Sequence, residues 1–82
     1  MLTTKDAQMV ADNHYNRGTA KNGLLTTIKS STNAFTSDFL NRKFGISSAV
    51  ARINEIEKET GIKFTRVSVQ DGTNGVTTAY AA

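Results

Sequence analysis

The chain has 82 residues, a length that suits one small domain with a limited hydrophobic core. Ten lysines and arginines against seven aspartates and glutamates give a net charge of +3, which permits a polyanionic partner without demanding one. The absence of cysteine excludes a disulfide framework and a cysteine-ligated zinc site. No apolar run approaches the length of a membrane span, and the start of the chain lacks a signal-peptide pattern, so we expect a cytoplasmic protein that does not bind membranes.

The first predicted helix covers roughly residues 5 to 16. A threonine at position 3 or 4 can cap it, because a threonine hydroxyl accepts a hydrogen bond from a free N–H group at a helix start. Its apolar stripe is thin and centres on Met9 and Val10. A partly ordered arm is the alternative, so residues 1–18 are separated from a domain at residues 19–82.

The second predicted helix runs from Thr19, its cap, to about Ser31. Its apolar positions fall on one helix face. They are Ala20, Leu24, Leu25 and Ile28. Serines and an asparagine close this helix, and residues 34 to 36 follow as a short extended link.

Residues 37 to 44 form the third predicted helix. Thr36 or Ser37 can cap its start, and Asp38 suits the positive end of the helix dipole. Gly45 ends the helix, because glycine accepts the positive φ angle that such a stop requires.

The fourth predicted helix covers residues 48 to 60, with Ser47 or Ser48 as its cap and Gly61 as its stop. Its buried side is predicted from the spacing of four apolar residues. They are Ala49, Val50, Ile53 and Ile56. Two short helices joined by so tight a turn pack at a steep angle and leave one face of the second helix free, which is the helix-turn-helix arrangement.

After Gly61 the apolar period changes from 3.6 to 2, which predicts a β-hairpin. A four-residue loop over residues 71 to 74 would set the register. The pairs would then be Val69 with Val76, Val67 with Thr78, and Thr65 with Tyr80. One face would hold both valines of the first strand with Val76 and Tyr80. Because Ile62 and Phe64 are out of phase with Val67, we expect a bulge or bend near Thr65.

The order of elements from the second helix onward is that of a winged helix-turn-helix. The residues FGISSAVARINEIEKETGIKF carry the likeness. They resemble small helix-turn-helix proteins, many from phages and mobile elements, with the pattern fGI..a.aRI.eL...G..I. The likeness covers Leu24 to Tyr80, with Ile56 where leucine is usual. It implies a mostly α fold with a C-terminal β-hairpin, double-stranded DNA as the partner, and the host cytoplasm as the location if a phage encodes the chain.

The wing departs from this pattern, because its tip carries Asp71 and no lysine or arginine. Many wings hold a cation that enters the minor groove. This wing can offer only Thr73, Asn74 and backbone N–H groups, so we expect it to contribute little.

A helix that reads the major groove does so mainly with its N-terminal residues. Four candidates lie there on the fourth helix. They are Ser47, Ser48, Ala51 and Arg52. The hydroxyl groups suit phosphates or base edges, the alanine methyl suits thymine, and the guanidinium suits guanine or phosphate. The alternatives are helix capping for the serines and an ion pair with Glu55 or Asp38 for the arginine.

Cations on the other elements are expected to hold the DNA backbone. They are Lys21, Lys29, Arg42, Lys43, Lys63 and Arg66. Five cations and one aspartate give +4 over residues 17 to 43, whereas three glutamates and one lysine give −2 over residues 55 to 59. Glutamates beside phosphates would weaken binding, unless they form a solvated face that only stabilises the helix.

Two functions remain open from the sequence. The first is DNA binding, as a phage-type transcriptional regulator or an architectural accessory factor of the excisionase sort. Few phosphate contacts per copy would make binding weak, so a homodimer or a partner protein would be needed for tight recognition. The second is a winged-helix module that binds and modulates a host protein, for example as an inhibitor, with the glutamates facing a basic surface.

Nothing in the sequence predicts catalysis, a metal ion or a cofactor. His14 is the only histidine, so it lacks a second ligand for a metal and cannot serve as a base beside any obvious nucleophile. The glycine-containing turns lack the lysine and the Ser/Thr that end a phosphate loop. We therefore predict that the protein is not an enzyme.

Overall fold

The computed structural model describes residues 2–70, 72 and 75–82. Within them, four helices and a three-stranded antiparallel sheet form a small α+β domain. In chain order the elements are α1 (Thr4–His14), α2 (Ala20–Lys29), β1 (Phe35–Thr36), α3 (Ser37–Phe44), α4 (Ala49–Thr60), β2 (Thr65–Gln70) and β3 (Val76–Ala81). The strand order is β1-β3-β2. Among the described residues, no helix is long and apolar enough to cross a membrane.

Each helix begins at a hydroxyl cap that accepts a hydrogen bond from a backbone N–H group three residues later. The caps are Thr3, Thr19, Thr36 and Ser48, at 3.1, 3.3, 3.2 and 3.2 Å respectively. Gly45 and Gly61 end α3 and α4 with φ angles of 61° and 77°. The predicted caps and the glycine stops of α3 and α4 are therefore confirmed, because these signals act over a single turn of the chain. The first two helices end about two residues earlier than predicted, at His14 and Lys29.

The core lies between the last three helices and the sheet. Its fully buried large side chains are Leu24, Leu25, Ile28, Leu40, Ile53 and Ile56. Phe64 and Tyr80 close it from the hairpin side. Gly23, inside α2, allows the ring of Phe44 to lie against this helix, since a Cβ atom at that position would be 2.5 Å from a ring carbon.

The N-terminal residues form a helix that is packed onto α2. Ala7 and Ala11 are buried in this contact. Asn22 is also buried, and its side chain joins the two helices: it donates to Asp12 Oδ1 and to the Tyr15 carbonyl, both at 2.9 Å. It also accepts from Gln8 Nε2 at 2.9 Å. Such a satisfied buried amide ties α1 to the rest of the domain.

The predicted hairpin register is wrong by one residue. The observed pairs include Gln70 with Val76, Val67 with Ala79, and Thr65 with Ala81. The connection therefore covers residues 71 to 75 instead of 71 to 74. Gly75 has a φ angle of 125°, which favours glycine, and it belongs to the turn. The predicted wing-tip residues Asp71, Thr73 and Asn74 lie outside the described residues.

The observed register pairs Tyr80 with Arg66 and Val67 with Ala79, so the predicted stripe is divided between the two faces: Val76 lies on the face of Tyr80, and Val67 and Val69 lie on the other. Tyr80 and Phe64 are buried, whereas Val67 and Val76 are exposed. Burial of aromatic rings removes more apolar surface from water than burial of valines does, and this decides the register. The pairing is continuous from Thr65 to Gln70, so a bulge does not occur within β2.

Candidate nucleic-acid interface

The turn between α3 and α4 is held by a single side chain of α3. Asn41 Oδ1 accepts a hydrogen bond from the N–H group of Ala49 at 2.6 Å, at the start of α4. The Asn41 carbonyl accepts from the N–H group of Ile46 at 3.0 Å. The sequence reasoning missed this residue. An asparagine in the last turn of one helix, shortly before a second helix start, is the signal that could have found it.

A face of α4 is left uncovered by the rest of the domain. Its exposed residues recur at intervals of four. They are Val50, Asn54 and Lys58. Ser47 is exposed just before the helix, and Ala51 is half-buried beside the stripe. This is the face from which α4 can contact a partner.

The prediction that Val50 is buried is wrong, since its exposed fraction is 40%. Ala49, Ile53 and Ile56 are fully buried and fill the contact between α4 and the core. Val50 is rotated by about 100° from Ala49 around the helix axis, which takes it beyond the edge of that contact. An apolar side chain therefore stands on the solvent face of α4.

Two of the three glutamates of α4 are paired with Lys21 of α2. The Lys21 Nζ atom lies 3.1 Å from Glu55 Oε1 and 2.9 Å from Glu59 Oε1. Tyr15 at the end of α1 donates its hydroxyl hydrogen to Glu59 at 2.6 Å. The hydrogen bond from Lys21 lowers the pKa of Glu55, and the one from Tyr15 lowers the pKa of Glu59. One lysine charge is thus shared between two carboxylates on the side of α4 that faces α2, and Arg52 adds a second cation at Glu55.

The third glutamate, Glu57, is held by the hairpin. Arg66 donates to it from both terminal nitrogens, at 2.9 and 2.8 Å, and the Phe64 N–H group donates to it at 3.0 Å. The hydrogen bonds from Arg66 lower the pKa of Glu57 to about 2. Arg66 also donates to Asn54 Oδ1 at 3.1 Å and lies over the Tyr80 ring. This arginine is therefore fixed by several partners at once.

Of the six cations predicted to hold a DNA backbone, three are bound within the chain. Lys21 and Arg66 are paired with the glutamates just described. Lys29 donates to the Lys63 carbonyl, and its Nζ atom lies 4.9 Å from the centre of the Phe64 ring. Burial lowers the pKa of Lys29. These side chains are less available to a partner than the sequence suggested.

The other three of these cations remain available. Arg42, Lys43 and Lys63 are exposed, and none of them forms an ion pair with any residue that the structure describes. Arg42 and Lys43 lie in the last turn of α3, directly before the turn that leads into α4. Lys58 is also exposed, on the outer face of α4. The available positive charge therefore lies on α3, α4 and the approach to the hairpin, and also at the exposed Lys5 of α1.

The four residues predicted to contact bases differ in their contacts within the chain. Ser47 is exposed, whereas Ser48 is the cap whose Oγ accepts from the Ala51 N–H group. Arg52 Nη2 donates to Glu55 Oε2 at 3.0 Å, but its Nε atom is buried without a hydrogen-bond partner in the described structure. A buried donor without a partner costs free energy. The pairing of Arg52 is therefore poorer than that of Arg66.

No group of three or more metal-ligating side chains occurs in the described parts of the chain. His14 is exposed at the end of α1. No protein-family model, no curated protein and no solved structure matches this chain. The uncovered face of α4 and the cations around it are the features on which a function can be based.

Proposed function

We propose that this protein is a winged helix-turn-helix protein that binds double-stranded DNA with α4 in the major groove. The helix-turn-helix would consist of α3 and α4, and the hairpin of β2 and β3 would be the wing. The observation that supports this proposal best is the combination on α4 of an uncovered face with glutamates that are all paired within the chain.

The paired glutamates remove the main electrostatic objection to DNA at α4. Over residues 55 to 59 the formal charge is −2, which would repel phosphates if these side chains were free. Lys21 and Arg66 contact all three carboxylates at 2.8 to 3.1 Å, and Arg52 adds a contact at 3.0 Å. Repulsion of a polyanion by this helix is therefore reduced.

The cations that remain free would hold the DNA backbone. Arg42 and Lys43 stand beside the start of α4, where a helix entering the groove passes between two phosphate strands. Lys58 and Lys63 would act farther along the helix and at the hairpin. Arg52 could move to a guanine or a phosphate with the loss of its ion pair to Glu55, which Lys21 would still contact, and the unpaired Nε of Arg52 would gain a partner.

Titration of a mixed-sequence duplex, followed by fluorescence anisotropy, tests the proposal. We expect binding at low salt that weakens as salt is added, and about four phosphate contacts give a slope of log K against log salt of roughly −3.6. Polyglutamate serves as the control, because it carries negative charge but no groove. Failure to bind the duplex at low salt, or equal binding to polyglutamate, would contradict the proposal.

The biological role would be that of a transcriptional regulator or an architectural accessory factor. A single copy with few phosphate contacts binds weakly, so a second copy or a partner protein would supply the remaining affinity. Met9 of α1 is exposed and available for such an association.

Binding of a host protein is the second candidate function. Exposed hydrophobic side chains on three elements favour it: Met9 of α1, Phe39 of α3 and Val76 of β3. The glutamates that suggested this function from the sequence favour it less, because they are paired within the chain. Capture of partners from nuclease-treated host lysate separates the two candidates, since loss of every partner after nuclease treatment counts against this second one.

A further inference from the structure

We propose that Val50 sets a DNA sequence preference by contacting the 5-methyl group of thymine in the major groove. This inference rests on the proposed DNA binding and deepens it. Val50 lies in the first turn of α4, which is the part of a reading helix that meets base edges. Its exposed fraction of 40% leaves its methyl groups accessible to a partner.

The fold does not explain a valine at position 50. The contact of α4 with the core is filled by Ala49, Ile53 and Ile56, all fully buried. Valine is also a weaker helix former than alanine, because its branched side chain loses rotamer freedom in a helix. Neither packing nor helix stability therefore accounts for an exposed valine on this face.

The surroundings of Val50 favour DNA over a protein as the partner of this face. Arg42 and Lys43 are exposed and unpaired within the described structure, and they lie just across the turn that Asn41 closes onto the start of α4. The exposed neighbours of Val50 on its own face are Asn54 and Lys58, which are polar. A single apolar side chain surrounded by cations and amides suits a groove of DNA. It suits a protein interface less well, because the centre of such an interface is apolar.

The chemistry of the major groove determines which base this side chain can recognise. Val50 can neither donate nor accept a hydrogen bond, so it discriminates only through apolar contact. Thymine alone among the four DNA bases presents a methyl group in the major groove. The side-chain oxygen of Asn54 is occupied by Arg66, which leaves its NH₂ group to donate to an acceptor such as the adjacent thymine O4 atom.

Duplexes that differ only in the 5-methyl group test the inference. We expect the wild-type chain to bind an alternating d(AT) duplex about fourfold more tightly than the corresponding d(AU) duplex, from the transfer free energy of one buried methyl group. Adding the same methyl group to cytosine in an alternating d(GC) duplex should also tighten binding. Affinities are measured by fluorescence anisotropy at low salt.

Val50→Ala should bring the d(AT) to d(AU) affinity ratio close to one. Alanine favours the helix, so this variant should fold, and thermal unfolding checks that it does. Val67→Ala is the matched control, because Val67 has a similar exposed fraction of 38% but lies on β2. This control should keep the wild-type ratio, since the thymine methyl is absent from the minor groove that a wing would enter.

The possible results separate the inference from the function on which it rests. A wild-type ratio of one, or a ratio that Val50→Ala leaves unchanged, would overturn the thymine contact while DNA binding stands. Equal affinities of Val50→Ala and wild type for every duplex would likewise overturn the inference, because Val50 would then make no contact with DNA. Failure of all duplexes to bind would instead overturn the proposed function.

Discussion

Replacing both Arg42 and Lys43 by glutamine is expected to weaken DNA binding on the order of fiftyfold at about 0.1 M salt. Each lost phosphate contact removes about 0.9 from the salt slope, so the slope should change from roughly −3.6 to roughly −1.8. Both side chains are exposed and form no ion pair in the described structure, so the free energy of unfolding should change little. Anisotropy at several salt concentrations and urea unfolding measure the two quantities.

Lys21→Gln is the matched control for this double variant. From the sequence, Lys21 belongs with Arg42 and Lys43 as a backbone cation, but in the structure it is paired with Glu55 and Glu59. We expect Lys21→Gln to lower the free energy of unfolding and to change the salt slope much less than the double variant does, although the glutamates that it leaves without Lys21 should weaken binding somewhat. A large loss of slope with Lys21→Gln and none with the double variant would place the interface elsewhere.

Glu57→Gln is expected to lower the free energy of unfolding by about 2 kcal/mol at neutral pH. The Glu57 side chain is only 11% exposed and accepts hydrogen bonds from Arg66 and from the Phe64 N–H group. The fall of its pKa from 4.5 to about 2 corresponds to a preference of the fold for the ionised carboxylate of about 3 kcal/mol. Solvent around Arg66, which is 41% exposed, reduces that value.

The effect of Glu57→Gln should depend on pH in a defined direction. Because the pKa of Glu57 is lower in the folded than in the unfolded chain, its contribution is complete above about pH 5 and is lost as the pH falls towards about 2. The difference in unfolding free energy between wild type and variant should therefore shrink in acid. Urea unfolding at a series of pH values measures it.

Glu59→Gln provides the comparison for this measurement, because Glu59 lies at the same end of α4 but is far more exposed. Its replacement should cost less stability than that of Glu57. A loss with Glu57→Gln that is the same at every pH would contradict the prediction, since it would come from packing and not from the charge of the carboxylate.

The same ion pairs link stability to the proposed function. Lys21 joins α2 to α4, and Arg66 joins the hairpin to α4, so each pair helps to orient this helix. Each pair also uses a carboxylate that would otherwise repel phosphates. The loss of Arg66 should therefore affect both the orientation of α4 and the charge beside its outer face.

The sequence alone predicted the four helices, their caps and the ends of the last two. Thr36, Ser48, Gly45 and Gly61 act through contacts within a turn of the same helix, and such contacts can be inferred from neighbouring residues. The third helix was predicted with the bounds that the structure has, Ser37–Phe44. The existence of a hairpin was predicted for the same reason, because alternation and turn residues are local patterns.

Only the tertiary structure decided the hairpin register and the exposure of Val50. The register depends on whether the core buries Tyr80 and Phe64 or the valines of β2, and this choice involves residues far apart in the chain. Val50 has the helical spacing of a core residue. It is nevertheless exposed, because the contact between α4 and the core is too narrow to include it. The width of this contact cannot be inferred from the local periodicity of the sequence.

Which charges remain free was likewise decided by the tertiary structure. Lys21 and Lys29 looked equivalent to Arg42 and Lys43 in the sequence. The partners of Lys21 on α4 lie 34 and 38 residues further along the chain, and only the packing of α2 against α4 brings them within 3.1 Å. Charge composition therefore follows from the sequence, whereas the charge that a partner meets follows from the fold.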